Sequence, residues 1–385
     1  MFSPFRGLFF HPSLAGSSGE ATCPPYDVID DEARRRYLAS SPYNVVRLLL
    51  PGREASYQEA GDLLRGWLAD GVVAEDPEPR FYLYRMGYRD GASRARQAQG
   101  VIGALQLEEP GRRVLAHEET MEHARADRLS VLRATRANLD PIVALTPVEG
   151  LEPLLEPEGP PRIAFRAEGV HHRLFDLGRA VSTTLAEAVS SRPLAIADGH
   201  HRYATALRYR REREAEDGTG PWSAILTFVS PARRGGLSVG AIHRVFERGQ
   251  VDRAILEKAF VVSRHRPEPP EEPGHVVLVS RDGALLLRPT PDALEELPRP
   301  WRQAGSAVAR ELLYPLMGLD ESQASYVPDP RSAVESSAPG GLAVLTSPIP
   351  ARAISKAIEE GLRFPQKSTF FYPKPRAGLV MRLLG

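Results

Sequence analysis

The sequence predicts an α+β protein built from mixed sheets and helices. Two pairs of apolar runs of strand length, 81–88 with 98–107 and 276–279 with 284–287, are each joined by a turn containing Asp-Gly, which indicates two β-hairpins. Amphipathic runs with helical spacing lie between and beyond these hairpins. Because strands and helices do not alternate steadily along the chain, a doubly wound parallel sheet is not expected.

Caps, periodicity and turn residues predict the remaining elements. In the first part of the chain these are a helix at 32–39 capped by Asp30 or Asp31, a strand at 44–50, an amphipathic helix at 56–70 with Leu63, Leu64, Trp67 and Leu68 facing inward, and a mainly helical stretch at 117–138. Later elements are a proline-rich linker at 153–161, a helix at 175–190, a strand at 194–197, a helix at 203–216, strands at 222–229, 238–246 and 342–345, a stiff connector at 264–273 and a helix at 351–360.

A chain of 385 residues exceeds what one compact domain usually holds. The element pattern divides it into an N-terminal α+β region at 1–110, a central region at 111–262 and a C-terminal α+β region at 263–385. Zero net charge from 49 basic and 49 acidic residues argues against a dedicated binder of nucleic acid or of anionic membranes. No apolar run reaches the roughly 18 residues of a transmembrane helix, and the single cysteine, Cys23, fits a cytoplasmic protein and is expected to be a small buried residue.

The most informative stretch is Asp-Gly-His-His-Arg-Tyr at 198–203, placed between an apolar run and a helical run. Gly199 removes a side chain where a ligand or another backbone comes close, and the next residues begin a helix whose amides carry partial positive charge. His200, His201 and Arg202 add donors of the kind that phosphate oxygens accept. The stretch therefore predicts a phosphate cradle. In the alternative interpretation, Asp198 is only an N-cap that accepts a bond from the amide of His201.

Two further stretches carry candidate residues. After His117, the stretch to 128 crowds acid and imidazole groups together at Glu118, Glu119, Glu122 and His123, with Asp127 and Arg128 close behind. One of its carboxylates would serve as a base or magnesium ligand, or the stretch is a solvated helix face. A zinc-protease motif fails there because Met121 stands at the second histidine position. At 361–368 a P-loop fails because Gln366 replaces its second glycine.

Lysine is scarce in this chain, which draws attention to the four that remain: Lys258, Lys356, Lys367 and Lys374. Where arginine serves almost everywhere, a surviving lysine is expected where a compact ammonium is needed. Lys367 is therefore a candidate for a phosphate or carboxylate contact, with a surface ion pair as the alternative.

The chain resembles a known family over nearly its whole length, the uncharacterised "domain of unknown function 1015" family. The resemblance rests on the segments 4–7, 23–28, 117–120, 127–129, 198–202, 243–244, 365–369 and 372–374, which bring in His243 and Arg244 as possible supporting residues. The segment 193–203 also resembles the Asp-Gly-His-His-Arg signature of the ParB/sulfiredoxin-like superfamily, which includes free serine kinases. That resemblance implies a ParB/sulfiredoxin-like core around the 198–202 turn, in the central region.

The resemblance implies a phosphate site for a nucleotide at 199–202, with Mg²⁺ and ATP or ADP as cofactors. The leading hypothesis is a nucleotide-dependent phosphotransferase acting on a small hydroxylated metabolite, with free serine as the best single guess. His200, His201, Arg202 and the helix start would stabilise charge on the transferring or leaving phosphates. Asp198 or Glu118 would orient or deprotonate the hydroxyl, and Lys367 would neutralise an anionic group. A nucleotide-binding module or slow NTPase that acts as a switch for a protein partner is the second hypothesis. DNA binding through the arginines of helix 203–216 is the third.

Overall fold

The computed structural model describes residues 1–52, 56–90, 93–109, 111–116, 118, 122–148, 151–157, 159–231, 237–337 and 340–385, of which 122–125, 152, 351, 355 and 358 are described by their backbone alone. The predicted α+β class with several mixed sheets is confirmed. Among the described residues, none of the helices combines the length and the apolar character that crossing a membrane requires.

The helices and strands are numbered in chain order. The α-helices are α1 (Pro12–Ala15), α2 (Ser18–Ala21), α3 (Asp31–Ser40), α4 (Val46–Leu49), α5 (Tyr57–Ala69), α6 (Glu122–Thr135), α7 (Arg179–Ser190), α8 (His200–Asp217), α9 (Arg253–Leu256), α10 (Pro291–Glu295), α11 (Gly305–Val308), α12 (Tyr314–Met317), α13 (Pro330–Ser336) and α14 (Ala351–Glu359). The strands are β1 (Phe2–Ser3), β2 (Leu8–Phe10), β3 (Val73–Glu75), β4 (Tyr82–Arg89), β5 (Ala95–Gln106), β6 (Val114–Ala116), β7 (Ala137–Asn138), β8 (Ile142–Thr146), β9 (Ile163–Ala167), β10 (Val170–Asp176), β11 (Leu194–Asp198), β12 (Ala224–Pro231), β13 (Ser238–Gly240), β14 (His243–Phe246), β15 (Phe260–His265), β16 (Val276–Ser280), β17 (Gly283–Pro289), β18 (Ser325–Val327), β19 (Leu342–Thr346), β20 (Phe370–Tyr372) and β21 (Arg382–Leu383).

The chain folds into two compact units. Unit 1 comprises Met1–Leu115, Met121–Ser238 and Pro373–Gly385, and unit 2 comprises Ala116–Thr120 and Val239–Tyr372. The element pattern of the sequence divided the chain into three consecutive regions, 1–110, 111–262 and 263–385. That division stays a prediction. Because the last segment of the chain belongs to unit 1, residues from both ends of the sequence contribute to the same core.

Unit 1 is built on a large sheet that, within the described residues, has nine strands in the order β6-β11-β8-β12-β5-β4-β10-β9, with β1 paired to β5. Neighbouring strands with a described register are antiparallel except β8 and β12, which run parallel. The residues of β8 and β12 are almost all buried, and β5 is mostly buried from Ala98 to Leu105, as expected for strands in the middle of a sheet. Strand β11, which ends at Asp198, pairs with β8.

Unit 2 contains a second sheet in which the described strands follow the order β15-β17-β16-β19-β14-β18, all of them antiparallel. Apolar residues of this sheet pack on one side against α9 and the helical segment 305–317. Strands β16 and β17 form the predicted 276–287 hairpin, and β4 with β5 forms the predicted 81–107 hairpin in unit 1. Both hairpin predictions are therefore confirmed.

The helix predictions at 32–39 and 56–70 are confirmed as α3 and α5. The side chain of Asp30 accepts a hydrogen bond from the amide of Ala33, and that of Ser56 accepts one from the amide of Glu59, so each helix has the expected N-cap. Leu64 and Trp67 are buried inside unit 1, and Leu63 and Leu68 pack at the edge of the same core. Cys23 is fully buried there, and burial raises the pKa of its thiol, as expected for an inert apolar residue.

Three element predictions are corrected. The strand predicted at 238–246 is two strands, β13 and β14, which belong to different sheets. The run 44–50 is not a strand: α4 occupies Val46–Leu49, and the side chain of Asn44 accepts a bond from the amide of Val46 while donating to the carbonyl of Glu20. A short helix buried on nearly every side has the same continuous apolar pattern as a buried strand. The helix predicted at 175–190 begins only at Arg179, because Phe175 belongs to β10.

Candidate functional site

The turn between β11 and α8 has the strand–glycine–helix geometry that the sequence predicted. Strand β11 ends at Asp198, Gly199 adopts φ 93° and ψ 27°, and α8 begins at His200. A Cβ atom on Gly199 would lie 2.7 Å from Cγ2 of Ile142 and 3.1 Å from Nε of Arg202. Glycine is therefore required here twice, for its left-handed backbone and for the close approach of Ile142 and Arg202.

The N-terminus of α8 is unusual in its charge. Its N-cap residue is Gly199, which has no side chain with which to cap the first amides, and the first turn contains no acidic residue. Most helices place Asp, Asn, Ser or Thr at the cap and acids in the first turn, because partial positive charge collects there. Here His200 and His201 occupy the first turn, His200 buried at 8% exposure and His201 half-buried. An 18-residue helix that begins in this way favours an anion outside its N-terminus.

Asp198 does not cap α8, since Gly199 holds that position, and its carboxylate instead binds two cationic side chains. Oδ1 accepts a hydrogen bond from Nζ of Lys374, and Oδ2 accepts one from Nη2 of Arg202 at 2.6 Å. Lys374 also donates to Oδ2 of Asp27 at 3.3 Å, and Nη1 of Arg202 also donates to the carboxylate of Asp140.

These five residues, Asp27, Lys374, Asp198, Arg202 and Asp140, alternate in charge, and we call them the ion-pair chain. Their side chains are between 7% and 19% exposed. The ion-pair chain lies entirely in unit 1, although its five residues come from four distant stretches of sequence.

Burial and charge act against each other in the ion-pair chain. Burial lowers the pKa of Lys374, but Asp198 and Asp27 outweigh it, so the pKa lies above its ordinary value. Arg202 behaves in the same way, with Asp140 and Asp198 opposing burial and raising the pKa. Burial raises the pKa of the Asp140 carboxyl, and Arg202 opposes that rise. Each cation in the chain is thus kept charged by its acidic neighbours.

A small cavity of about 50 Å³ adjoins the ion-pair chain, lined in part by Tyr26, Arg128, Asn138, Asp140 and Arg202. Its volume suits one or two water molecules and is far below the several hundred Å³ of a pocket for a nucleotide. A nucleotide bound at α8 would therefore lie outside this cavity.

Arg128 lies on the wall of this cavity and is held firmly. Its guanidinium stacks 4.3 Å from the centre of the Tyr26 ring, Nη1 donates to the carbonyl of Leu49 at 2.7 Å, and Nε donates to Asp127 at 2.8 Å. The predicted supporting residues Asp127 and Arg128 therefore contact each other and the border of the ion-pair chain.

The remaining predicted residues belong to unit 2. Oε1 of Glu118 accepts hydrogen bonds from the amide of Thr369 at 2.8 Å and from its hydroxyl at 2.5 Å. The sequence had singled out both stretches separately, and the structure brings them together. His117 lies outside the described residues.

Arg244 and His243 are buried on β14 of unit 2. Arg244 is fully buried, and its guanidinium donates to the carbonyls of Ile242 at 2.8 Å and Gln366 at 3.0 Å. Nδ1 of His243 accepts a bond from the amide of Thr346, and burial lowers the pKa of His243 to about 4. Arg244 therefore supports the 365–369 segment, whereas His243 is bonded to β19 and is neutral near pH 7.

Lys367 has a left-handed backbone with φ 54°. This conformation costs a non-glycine residue about 1 kcal/mol, so a lysine kept there points to a use for its side chain. We expect Lys367→Gly to raise the free energy of unfolding by about 1 kcal/mol and to weaken anion binding, as measured by thermal unfolding and by titration with inorganic phosphate.

The control for Lys367 is Lys367→Asn, since asparagine tolerates the left-handed backbone but carries no charge. The asparagine variant should lose anion binding to the same extent while changing stability less. Unchanged phosphate binding in both variants would show that the side chain of Lys367 serves no anion.

Sequence reasoning missed the roles of Asp27, Asp140 and Lys374. Asp27 and Lys374 lay within segments that carried the family resemblance, and the scarcity of lysine also pointed to Lys374. Nothing in the sequence distinguished Asp140, which lies 62 residues from its partner Arg202.

The arginines of α8 that suggested DNA binding are engaged in ion pairs. Arg208 binds Glu212, Arg210 binds Glu214, Arg211 binds Glu109 and Arg213 binds Glu216 and Asp217. A phosphate backbone would have to compete with these carboxylates for each guanidinium, and the DNA-binding hypothesis gains no support.

The described residues contain no group of three or more His, Cys, Asp or Glu side chains arranged to hold a metal. The three acids of the ion-pair chain each bind a cationic side chain, which occupies the place that a metal ion would need. The residues of the ion-pair chain therefore do not fit a protein-bound metal.

This α+β protein places a nearly buried ion-pair chain beside a glycine turn that begins an 18-residue helix. The chain belongs to the family described as "Protein of unknown function (DUF1015)", whose match spans residues 2–320. The family resemblance inferred from the motifs is thus confirmed. No curated protein matches the sequence.

Several solved structures are similar to this chain at low identity. SbnI with a C-terminal truncation from Staphylococcus aureus has a TM-score of 0.40 and 10% identity, covering 71% of this chain and 84% of that one. A conserved hypothetical protein from Pyrococcus furiosus has a TM-score of 0.38 and 14% identity, covering 69% and 90%. A mutant free serine kinase in complex with ADP has a TM-score of 0.38 and 12% identity, covering 67% and 84%. At these scores, function has to be argued from the residues of the site.

Proposed function

We propose that this protein is a nucleotide-dependent phosphotransferase that acts on a small hydroxylated metabolite, with free serine as the first acceptor to test. The observation that carries the proposal is the Gly199 turn, which opens an 18-residue helix with two imidazoles in its first turn and no acid. Helix starts of this kind bind phosphate through backbone amides and the helix dipole. Within the proposal, the phosphates of ATP or ADP lie against residues 199–202.

The two histidines have different parts in this proposal. His201 is half-buried at the helix start, where an imidazole can reach a phosphate oxygen and stabilise charge that develops during transfer. His200 is buried and helps to fix the first turn. Arg202 contributes as a positioned charge, because Asp140 and Asp198 hold its guanidinium beneath the turn.

Asp198 is better placed to hold the turn than to remove a proton. Each of its oxygens already accepts a bond from a cationic side chain, so both oxygens are engaged within the ion-pair chain. We therefore assign Asp198 the orientation of Arg202 and Lys374. Glu118 as a second acid and Lys367 as a neutralising cation remain predictions for the residues of unit 2.

Magnesium enters this proposal with the nucleotide. Mg²⁺ keeps several waters and binds phosphate oxygens readily, so it does not need a dedicated protein cage. No step assigned to the residues of this chain passes through a metal.

We expect purified protein incubated with ATP or ADP, magnesium and serine to yield phosphoserine, detected by mass spectrometry. A panel of other small hydroxylated metabolites, tested in parallel, identifies the acceptor if serine is not phosphorylated. His201→Ala should reduce the rate about 10²-fold or more, as for loss of one stabilising donor, whereas His265→Ala, an exposed histidine of unit 2, should leave it unchanged. Absence of product with any common nucleotide and any acceptor would refute the phosphotransferase.

One observation favours a second candidate, a nucleotide-binding module or slow NTPase that acts as a switch for a protein partner. In the ion-pair chain every carboxylate binds a cation, so none of these acids is poised to remove a proton from a hydroxyl. A switch needs the phosphate site without such a base. Thermal shifts with ATP, ADP and CTP, combined with phosphate release in the absence of an acceptor, distinguish this candidate from the phosphotransferase.

A further inference from the structure

Lys374 differs from the other lysines of the chain in its surroundings. Lys258 and Lys356 are exposed and Lys367 is half-buried, whereas the side chain of Lys374 is only 10% exposed. In a chain where four of 49 basic residues are lysines, a buried lysine between two carboxylates marks a place where arginine does not serve. Lys374 lies beyond residue 320, where the family match ends.

The backbone that carries Lys374 is held against two of the three segments that supply acids to the ion-pair chain, those of Asp27 and Asp140. Ala377 and Cys23 exchange two backbone hydrogen bonds, which places the 373–378 segment beside the stretch leading to Asp27. The amide of Gly378 donates to the carbonyl of Leu139, next to Asp140.

The neighbouring residue Arg376 strengthens this attachment. Its guanidinium donates to the hydroxyl of Thr22 at 2.9 Å and to the carbonyl of Thr22 at 2.8 Å. The position of Lys374 is therefore fixed before any ligand arrives, by contacts that do not involve its own side chain.

The ammonium of Lys374 binds two acids at once. One donor reaches Oδ1 of Asp198 and another reaches Oδ2 of Asp27 at 3.3 Å. The guanidinium of Arg202 already occupies the other oxygen of Asp198, so a second planar guanidinium in place of the ammonium would crowd the first. A compact, tetrahedral donor meets both acids in the remaining space.

We propose that Lys374 is a positioning residue of the phosphate site: by holding Asp198 and Asp27 together it fixes the residue that immediately precedes the Gly199 turn. The proposal rests on the proposed function of that turn. Without the ammonium, Asp27 and Asp198 are two like charges with one counter-ion fewer, and Asp198 moves away from Asp27. A displacement of the helix start by about 1 Å is enough to reduce a rate about 10²-fold.

The test compares Lys374→Met and Lys374→Arg with Lys356→Met, a matched control at an exposed lysine of unit 2. For phosphate transfer from ATP in the presence of magnesium, we expect kcat to fall about 10²-fold in Lys374→Met and in Lys374→Arg, with KM for ATP changed less than threefold. The control should retain wild-type kcat. Activity of Lys374→Arg within twofold of the wild type would overturn the proposal even if the methionine variant fails to fold.

Chemical rescue separates positioning from general damage to the fold. In Lys374→Ala, added n-propylammonium should restore at least a tenth of the lost rate, because it supplies a compact cation between Asp27 and Asp198. No rescue at any n-propylammonium concentration that leaves the wild-type rate unchanged would contradict the proposal. A misfolded variant, by contrast, is not repaired by a small amine.

A readout without nucleotide keeps the inference distinct from the proposed function. If the wild type transfers no phosphate and binds no nucleotide, the proposed function fails. The placement of Lys374 is then tested by the thermal unfolding of Lys374→Met, Asp27→Asn and the double variant. We expect the double variant to unfold at a temperature above that predicted by adding the two single shifts, and additive shifts would show that Lys374 and Asp27 are not coupled.

Discussion

Replacement of Arg202 by methionine is expected to lower the free energy of unfolding by about 3–5 kcal/mol at pH 8. The guanidinium is 10% exposed and binds Asp140, Asp198 and the carbonyl of Pro141. Methionine fills much of the same volume but leaves two nearly buried carboxylates without this partner. Chemical denaturation with guanidinium chloride gives the difference.

The loss of stability in Arg202→Met should depend on pH, and this dependence is a more specific test than the size of the loss. Burial raises the pKa of Asp140, and Arg202 opposes that rise, so loss of Arg202 moves the pKa further up. Consider pH values between about 3.9, the ordinary pKa of an aspartate, and the raised pKa of Asp140. In this range the native state binds more protons than the unfolded state, so the free energy of unfolding falls as the pH rises. The deficit of Arg202→Met relative to wild type should therefore be smaller at pH 5 than at pH 8.

Arg208→Met is the matched control on the same helix. The Arg208 side chain is 62% exposed and pairs with Glu212 at 3.3 Å, so its removal should change stability by less than about 1 kcal/mol at either pH. An Arg202→Met variant that resembles this control, or that shows the same deficit at both pH values, would mean that the ion-pair chain does not stabilise unit 1.

Replacement of Gly199 by alanine is the second change with a large expected effect. We expect it to lower the free energy of unfolding by about 2–4 kcal/mol, from left-handed backbone strain and from overlap with Ile142. The new Cβ would lie 2.7 Å from Cγ2 of Ile142, closer than carbon atoms pack. Because the turn must shift to relieve the overlap, binding of ADP should also weaken at least tenfold, as measured by isothermal titration calorimetry under conditions where the variant is folded.

Gly318→Ala separates the effect of backbone strain from the effect of overlap with Ile142. Gly318 has φ 63° and ψ 32°, in the same left-handed region, and nothing lies within 4 Å of the Cβ that alanine would add. This control should cost only the backbone term of about 1 kcal/mol and leave ADP binding intact. Equal losses of stability in the two variants would show that the close approach of Ile142 does not matter.

The turn that carries the proposed function could be predicted because its signals are local. An apolar run before Asp198, a glycine and a helical run after it define a strand, a left-handed turn and a helix without reference to the rest of the chain. The hairpins were predictable for the same reason, since their turn residues adjoin the strands they connect.

The ion-pair chain could not be predicted because its contacts are long-range. Arg202 and Asp140 are separated by 62 residues, and Asp198 and Lys374 by 176. No spacing rule relates such positions, and an aspartate that binds a buried cation looks like any other aspartate in the sequence. The family resemblance of the 372–374 segment and the rarity of lysine both pointed to Lys374, but neither could name its partners.

The short helix α4 shows a different limit. Four apolar residues of the 44–50 run, Val45, Val46, Leu48 and Leu49, are buried, so the run has no polar face by which a helical period could be recognised. The hydrogen bonds of Asn44 to Glu20 and Val46 select the helix, and they depend on where α2 lies in the folded unit.

The central claim is that residues 199–202 hold the phosphates of a nucleotide, and a crystal structure of the protein grown with ADP tests it most directly. We predict that the β-phosphate oxygens accept hydrogen bonds from the amides at the start of α8, with His201 within 3.5 Å and the ion-pair chain intact beneath the turn. ADP bound elsewhere on the chain, with the α8 N-terminus facing only solvent at saturating nucleotide, would contradict it.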